Sequence, residues 1–327
     1  MTEFIIGMRD AYFEELYKIF KADPNAVFIT ADNGAPSLDR FAAEMPDQYY
    51  TVGIAEQQMM GMAAGMAIEG RKVYTYAIAP FVTQRIAEFV KLDQCAMNAN
   101  IINLAVGAGY SYDIMGPTHH TVEDIALMRS YPNLTIWSPS DANVARQLAQ
   151  VAHSHQGPGY IRFDRAGIPD LYNNQMFLDL SKGIFETRHG NDDVSIISTG
   201  RFVYQALLVA DLLKQKGINA QVLDVVRLKP FPIDEMIKLV DDKHIVTFEE
   251  HLLAGGLGSI VLESINDTWI EDSMKGEVKY EMTAMNNILR IGVPDEFTFD
   301  MGGRSAIWEK YSLDPESVSN KIERWLK

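Results

Sequence analysis

Thr51-Val52-Gly53-Ile54-Ala55-Glu56-Gln57-Gln58-Met59-Met60-Gly61-Met62-Ala63-Ala64-Gly65-Met66-Ala67 sets one carboxylate at the junction of a short extended run and a helix rich in small residues and methionine. Gly61 and Gly65 lie four apart on one helical face, where another backbone can approach closely. The apolar run is too short to span a bilayer and is cut by glycines, so it reads as a buried core helix. Glu56 then stands at the mouth of a packed, apolar element, where a carboxylate is normally paired or held for proton chemistry. A plain helix-start carboxylate facing the positive end of the helix dipole fits the same local pattern.

Outward from this stretch, strands and helices alternate. A helix is expected from Arg9 to about Lys21, stopped by Asp23-Pro24-Asn25 and followed by a strand at Ala26–Thr30. The polar loop Ala31-Asp32-Asn33-Gly34-Ala35-Pro36-Ser37 lies at that strand's C-terminal end, the edge where open parallel sheets bind ligands. Further strands are expected at Lys72–Ala77, Ile101–Val106, Leu134–Trp137 and Tyr160–Phe163. Helices are expected over Val82–Asn98, Thr121–Ser130 and Ala142–His153. The pattern lapses between Gly167 and Asn191, then resumes with strands at Val194–Ser198, Ala220–Val225, His244–Phe248 and Ile288–Ile291. The expected fold is α/β, with two doubly wound, mostly parallel-sheet domains at 1–180 and 193–327 joined by a linker at 181–192. Gly255-Gly256-Leu257-Gly258 reads as a tight strand-to-helix packing turn.

With 327 residues, 47% apolar and 22% charged, the chain has the composition of a soluble globular protein with a large core. Its formal net charge of −15 repels phosphate backbones and argues against nucleic acid as a partner. No signal peptide or membrane segment is expected, and the single cysteine, Cys95, fits a buried inert thiol in a reducing cytoplasm.

The second informative stretch is Met115-Gly116-Pro117-Thr118-His119-His120, between a strand end and a helix. Adjacent histidines point in different directions, and no Cys or carboxylate cluster with metal-site spacing stands nearby, so no metal site is expected in this chain. Imidazole in such a loop suits a proton shuttle or a hydroxyl contact near neutral pH. Polar loop histidines without chemistry are the other reading.

Taken in order, Gly53-Ile54-Ala55-Glu56-Gln57, Met60 to Gly65, Phe81, Gly116-Pro117-Thr118-His119, Pro132-Asn133 and Pro139-Ser140-Asp141 resemble the pyrimidine-binding domain of transketolase. Deoxyxylulose phosphate synthase carries similar motifs. Ser198-Thr199-Gly200, Leu228-Lys229-Pro230, Glu249-Glu250-His251 and Gly255 to Gly258 resemble the transketolase C-terminal domain, so the resemblance covers essentially the whole chain. It implies thiamine diphosphate as cofactor and transfer of a two-carbon ketol unit from a sugar or sugar phosphate donor to an aldose. Glu56 would exchange a proton with the aminopyrimidine, Phe81 would stack on that ring, and Ile54 and Asp32 would lie beside the cofactor. His119 would contact substrate oxygens or move a proton. Arg9, Ser37 and Arg165 have counterparts in the family's donor-phosphate contacts, and two guanidiniums with a hydroxyl suit a phosphoryl group.

Two departures bear on specificity. Met115 stands where transketolases carry an aspartate that reads a donor hydroxyl, and Gly107 where many have a substrate-contacting histidine; nearby Asp113 is the candidate to compensate. The chain also has no Gly-Asp-Gly motif of the kind that holds Mg²⁺ and the diphosphate. The resemblance therefore implies a separate N-terminal subunit that supplies Mg²⁺ and the diphosphate site, in a cytoplasmic heterotetramer. Two other readings are the β subunit of a 2-oxo acid dehydrogenase E1 component, which has the same two-domain order, and a scaffold subunit that kept the fold and lost the chemistry.

Overall fold

The structure, a computed structural model, describes residues 6–172, 176–190, 193–240, 244–276, 287–300 and 302–327. Residues 1–5, on which the leader expectation bears, and 191–192 of the expected linker lie outside that set.

Six strands of the first sheet are parallel: β1 (Ala26–Thr30), β2 (Tyr49–Thr51), β3 (Lys72–Ile78), β4 (Ile101–Val106), β5 (Thr135–Trp137) and β6 (Gly159–Phe163). Their register is set by alternation. In β1, Val27 and Ile29 enter one core while Ala26 and Phe28 enter the other; in β3, Val73 and Ala77 oppose Tyr74 and Tyr76. Both faces are covered, which is why these strands read as continuous apolar runs. On one face, the Phe13 ring from helix Met8–Ala22 meets Phe28 and Tyr76 edge-on at 5.5 and 5.0 Å. On the other lies helix Glu56–Ile68, whose Met59, Met60, Ala63 and Ala64 are buried.

The second domain has β7 (Ile184–Arg188), β8 (Val194–Ser198), β9 (Ala220–Val225), β11 (His244–Leu252) and β12 (Ile288–Val293), in the order β12-β11-β8-β9-β7. The strand between β9 and β11, β10 (Arg227–Lys229), leaves its own domain and pairs antiparallel with β5. The first sheet therefore runs β10-β5-β6-β4-β3-β1-β2. The stretch read as linker holds β7, an antiparallel edge strand on β9.

Two local differences concern helices. The segment read as one helix over Val82–Asn98 is broken into turns at Ala79–Val82 and Ala87–Phe89 and a wider, π-type segment at Val90–Ala96. The Thr83 hydroxyl donates back to the Ala79 carbonyl at 2.6 Å, closing the first turn there. And helix Glu56–Ile68 is buried on one face only: Gln57, Gln58, Gly61, Gly65 and Ile68 are exposed, and within the chain nothing approaches a Cβ built at Gly61 or Gly65 within 4 Å.

In the first sheet β2 lies on one side of β1 and β3 on the other. The loops after β1, β3, β4 and β6 thus open at the C-terminal edge around the point where the strand order reverses, where a crevice forms.

Candidate active site at the switch point

Glu56 is the first residue of its helix and 2% exposed. Its Oε2 accepts from Arg85 Nη1 at 2.9 Å, and the Arg85 guanidinium lies over the Phe81 ring, 4.3 Å from its centroid. Phe81, in the turn after β3, meets His119 edge-on at 5.4 Å. Glu56, Phe81 and His119, drawn from three loops, therefore share one crevice. His119 Nδ1 is 2.9 Å from the Thr118 hydroxyl, and burial, then neighbouring His120, hold its imidazole below the usual histidine range. His119 is therefore neutral at pH 7, able to accept a proton or, at its protonated nitrogen, to donate a hydrogen bond.

The geometry tests whether an aminopyrimidine fits these residues. Arg85 presents a flat, delocalised N–H donor that stacks on Phe81 while bonding a buried carboxylate. An aminopyrimidine ring demands the same two things: an aromatic platform and a carboxylate at its edge. The donor set fits the group. Ile54, 77% exposed, lies two residues before the helix, and Asp32 is exposed in the loop after β1, with a left-handed φ of 52°.

A second group is linked to the first through the Tyr112 ring, which contacts both His119 and Arg165. Arg9 grips the Asp10 carboxylate through Nε and Nη2 at 2.9 to 3.1 Å and reaches the Tyr76 hydroxyl at 3.4 Å. The Ser37 hydroxyl donates to Asp10 Oδ1 at 3.0 Å, so Arg9 and Ser37 meet through Asp10. Arg165 is exposed, its guanidinium 5.1 Å from the Tyr112 ring, which tilts against His119 at 5.9 Å. Burial raises the Tyr112 phenol, while the charges of Arg165 and Arg9 pull it down.

Tyr112 also accounts for Gly107. A Cβ at Gly107, where φ is +107°, would lie 2.5 Å from Tyr112 Cε2; the tyrosine ring fills the space a side chain at 107 would need. Met115 is 47% exposed in the loop after β4. Asp113 turns toward the second domain: Oδ1 accepts from the Ile114 N–H at 2.9 Å and Oδ2 from the Arg304 N–H at 2.7 Å. Arg85, Tyr112 and Asp10 were not singled out from sequence. Arg85 follows Phe81 by four residues and Asp10 adjoins Arg9, signals that could have found both; nothing local marks Tyr112.

Behind the crevice the two domains meet across buried charge. Arg162 pairs with Asp124 at 2.8 Å within the first domain, and across the boundary Arg304 reaches Asp164 at 2.6 Å while also gripping Glu250. Glu249, pushed up to about 7 by burial, accepts the N–H groups of Leu257 and Gly258 at 2.6 and 2.8 Å, which seats the glycine-rich turn against β11. Burial pushes the Cys95 thiol up to about 12, as for an inert side chain. Among the described residues no group of three or more His, Cys, Asp or Glu is placed to hold a metal ion, and no helix is long and apolar enough to cross a membrane.

Comparison with known proteins identifies the two domains. The transketolase pyrimidine-binding domain matches residues 5–169 and the transketolase C-terminal domain residues 183–318. The chain is 33% identical to one subunit of the apulose-4-phosphate transketolase of Phocaeicola vulgatus, over all of both chains. It is 32% identical to 1-deoxy-D-xylulose-5-phosphate synthase of Caldanaerobacter subterraneus over 96% of this chain and 48% of that longer protein. The solved structure described as a split gene transketolase, inactive beta4 tetramer, superposes with a TM-score of 0.82 at 29% identity, covering 99% of each chain. The chain belongs to the transketolase family of transferases and carries its pyrimidine-binding and C-terminal domains.

Proposed function

We propose that this chain is the pyrimidine-activating half of a thiamine diphosphate-dependent ketol transferase, completed by a separate N-terminal subunit that holds Mg²⁺ and the diphosphate. The observation that carries the reading is the shared crevice of buried Glu56, Phe81 and His119. Bound there, the cofactor would supply a carbon nucleophile and an electron sink for the two-carbon unit.

This chain's residues then have separable tasks. Glu56, shielded from water, holds and releases a proton at the ring nitrogen it faces, and Arg85 balances its charge when ionised. Phe81 fixes the ring plane. His119, neutral at pH 7, takes or returns a proton at the donor's hydroxyl and carbonyl oxygens. Arg165 and the Arg9–Asp10–Ser37 group receive the donor's distal end. Two guanidiniums against one carboxylate leave a net positive charge there, suited to a phosphoryl or similar anion. Met115 offers no strong acceptor to a sugar hydroxyl, so recognition of the donor's middle falls to Tyr112 and His119.

The split arrangement is supported by full-length similarity to a single subunit of another transketolase and by the bare face of helix Glu56–Ile68, which begins at the site itself. A second polypeptide seated on that face would close the crevice, and two such pairs would make a heterotetramer. The test is reconstitution: the purified chain, a partner carrying Gly-Asp-Gly, Mg²⁺ and thiamine diphosphate are mixed with ketose phosphates and aldose acceptors. Ketol transfer by the mixture, and by neither subunit alone, is the expected result. A cofactor-loaded complex that consumes no ketose donor but acylates a lipoyl domain from pyruvate would overturn it in favour of a 2-oxo acid dehydrogenase component.

A further inference from the structure

Arg304 opens a short helix of the second domain, Arg304–Lys310, yet its polar contacts reach two loops of the first. Its backbone N–H donates to Asp113 Oδ2 at 2.7 Å, in the loop after β4. Its guanidinium Nη2 donates to Asp164 Oδ2 at 2.6 Å, in the loop after β6. The same guanidinium grips Glu250, with Nε 2.9 Å from Oε1 and Nη2 on Oε2. Glu250 in turn accepts the Tyr110 N–H at 3.0 Å, again in the loop after β4.

The two loops are those that carry the site. His120 Nε2 lies 3.1 Å from the Asp113 carbonyl, so the segment from Tyr110 to His120, with Tyr112 and His119 inside it, is tied at Asp113. Asp164 immediately precedes Arg165, and its Oδ1 also accepts the Ala166 N–H at 2.9 Å, which closes the backbone around Arg165. The ties are rigid: the Arg304 side chain is 12% exposed, Asp164 2% and Glu250 6%, so none of these bonds exchanges readily with water.

We propose that Arg304 is a positioning residue through which the C-terminal domain sets the spacing between the His119 loop and Arg165. On the functional reading above, on which this consequence rests, it matches the reacting centre to the anion-binding end of the donor. A donor bound at both ends requires that spacing before any chemistry, so a loosened tie weakens donor binding more than turnover.

The test uses the complete complex and the variant Arg304→Lys, which keeps a cation between the two carboxylates and the backbone bond to Asp113 but loses the fork. Arg129→Gln serves as a control, because Arg129 pairs with Glu263 across the domains (3.1 Å from Nη1 to Oε1) without touching either loop. The expected result is a donor KM raised tenfold or more in Arg304→Lys, with kcat within threefold and cofactor affinity within twofold. KM should stay within twofold in Arg129→Gln. Adding Arg304→Lys to Arg165→Ala should raise KM less than threefold further, because both act on one contact. Hydrogen exchange supplies a readout that needs no activity: amides of 109–120 and 164–168 should exchange faster together in Arg304→Lys, while β3 and β4 keep their protection. An unchanged KM, multiplicative effects in the double variant, or loops that keep wild-type protection would each overturn the proposal. A wild-type complex that transfers no ketol unit would instead defeat the functional reading, leaving hydrogen exchange to decide on the tie itself.

Discussion

Glu56→Gln separates chemistry from stability more cleanly than any other single change. The Glu56 side chain is 3% exposed, but its partner Arg85 is 40% exposed, with a free path to solvent. Glutamine keeps the volume and an acceptor for Arg85 at the same 2.9 Å position, so the loss is one charge in a half-exposed pair. Such a pair is worth about 1 kcal/mol or less. In a chain of 327 residues that lowers the melting temperature by roughly 2 °C or less. Removal of a positioned proton donor costs about 10²- to 10⁴-fold in rate, or roughly 3 to 5.5 kcal/mol of barrier. The two effects differ severalfold in energy and are read by different instruments. The assay is steady-state ketol transfer by the complex at saturating cofactor, beside a thermal melt of the same sample. Glu56→Gln should melt within a few degrees of the parent and turn over at least a hundredfold more slowly. A variant retaining a tenth or more of the parent's turnover would refute the role of Glu56 as the proton-exchanging group.

Four further outcomes are expected. Burial and His120 hold His119 below 6.5, so the acid limb of kcat should lie below pH 6.5 and vanish in His119→Asn; a limb above 6.5, or one surviving the substitution, removes His119 from the chemistry. Phe81→Ala takes away the platform under Arg85 and the edge contact to His119, and should weaken cofactor binding by roughly tenfold, read by fluorescence titration of the complex. Gly61→Leu meets nothing within 4 Å in this chain, so it should leave the isolated subunit's melt intact while blocking assembly in sedimentation; normal assembly would show that this face is not the one covered. Asp224, pushed up to about 7 by burial, binds a proton more tightly folded than unfolded, so its contribution is complete below about pH 4 and is lost as pH rises through 7, by roughly 1.4 kcal/mol per unit. Asp224→Asn should therefore flatten the fall in melting temperature between pH 5 and 8; an unchanged slope would place that dependence elsewhere.

The strands that announced themselves in the sequence are those buried on both faces. β1, β3, β4, β8 and β9 are apolar runs whose every second residue enters a different core, and no tertiary knowledge is needed to see them. β7 and β10 were missed because Ile-Phe-Glu-Thr-Arg and Arg-Leu-Lys are short, mixed edge strands. What makes them strands is a partner supplied from elsewhere: β10 exists because β5, of the other domain, offers an open edge. In the candidate site, Glu56, Phe81 and His119 were legible as candidates because their motifs resemble a family pattern. Tyr112 and Arg304 were not, since their roles arise from folding alone: Arg304 stands 191 residues from the carboxylate its backbone holds. The empty position at Gly107 was visible as a departure, but the ring that fills it comes from five residues further on, across a turn that the sequence does not mark.

The helix behind Glu56 shows how a partly mistaken reading carries information. Its residues are apolar on nearly every side, which in a single chain means burial all round. The structure buries Met59, Met60, Ala63 and Ala64 and leaves Gly61, Gly65 and Ile68 bare, with Ile54 exposed just before it. A helix made for two apolar neighbours but given one has a surface that favours a second chain. Because that surface starts at Glu56, the residue proposed to exchange the proton, covering it and enclosing the crevice become one event in the proposed assembly. The desolvation that Glu56 needs would then be finished by contact with the partner, which ties activity to assembly without any further switch.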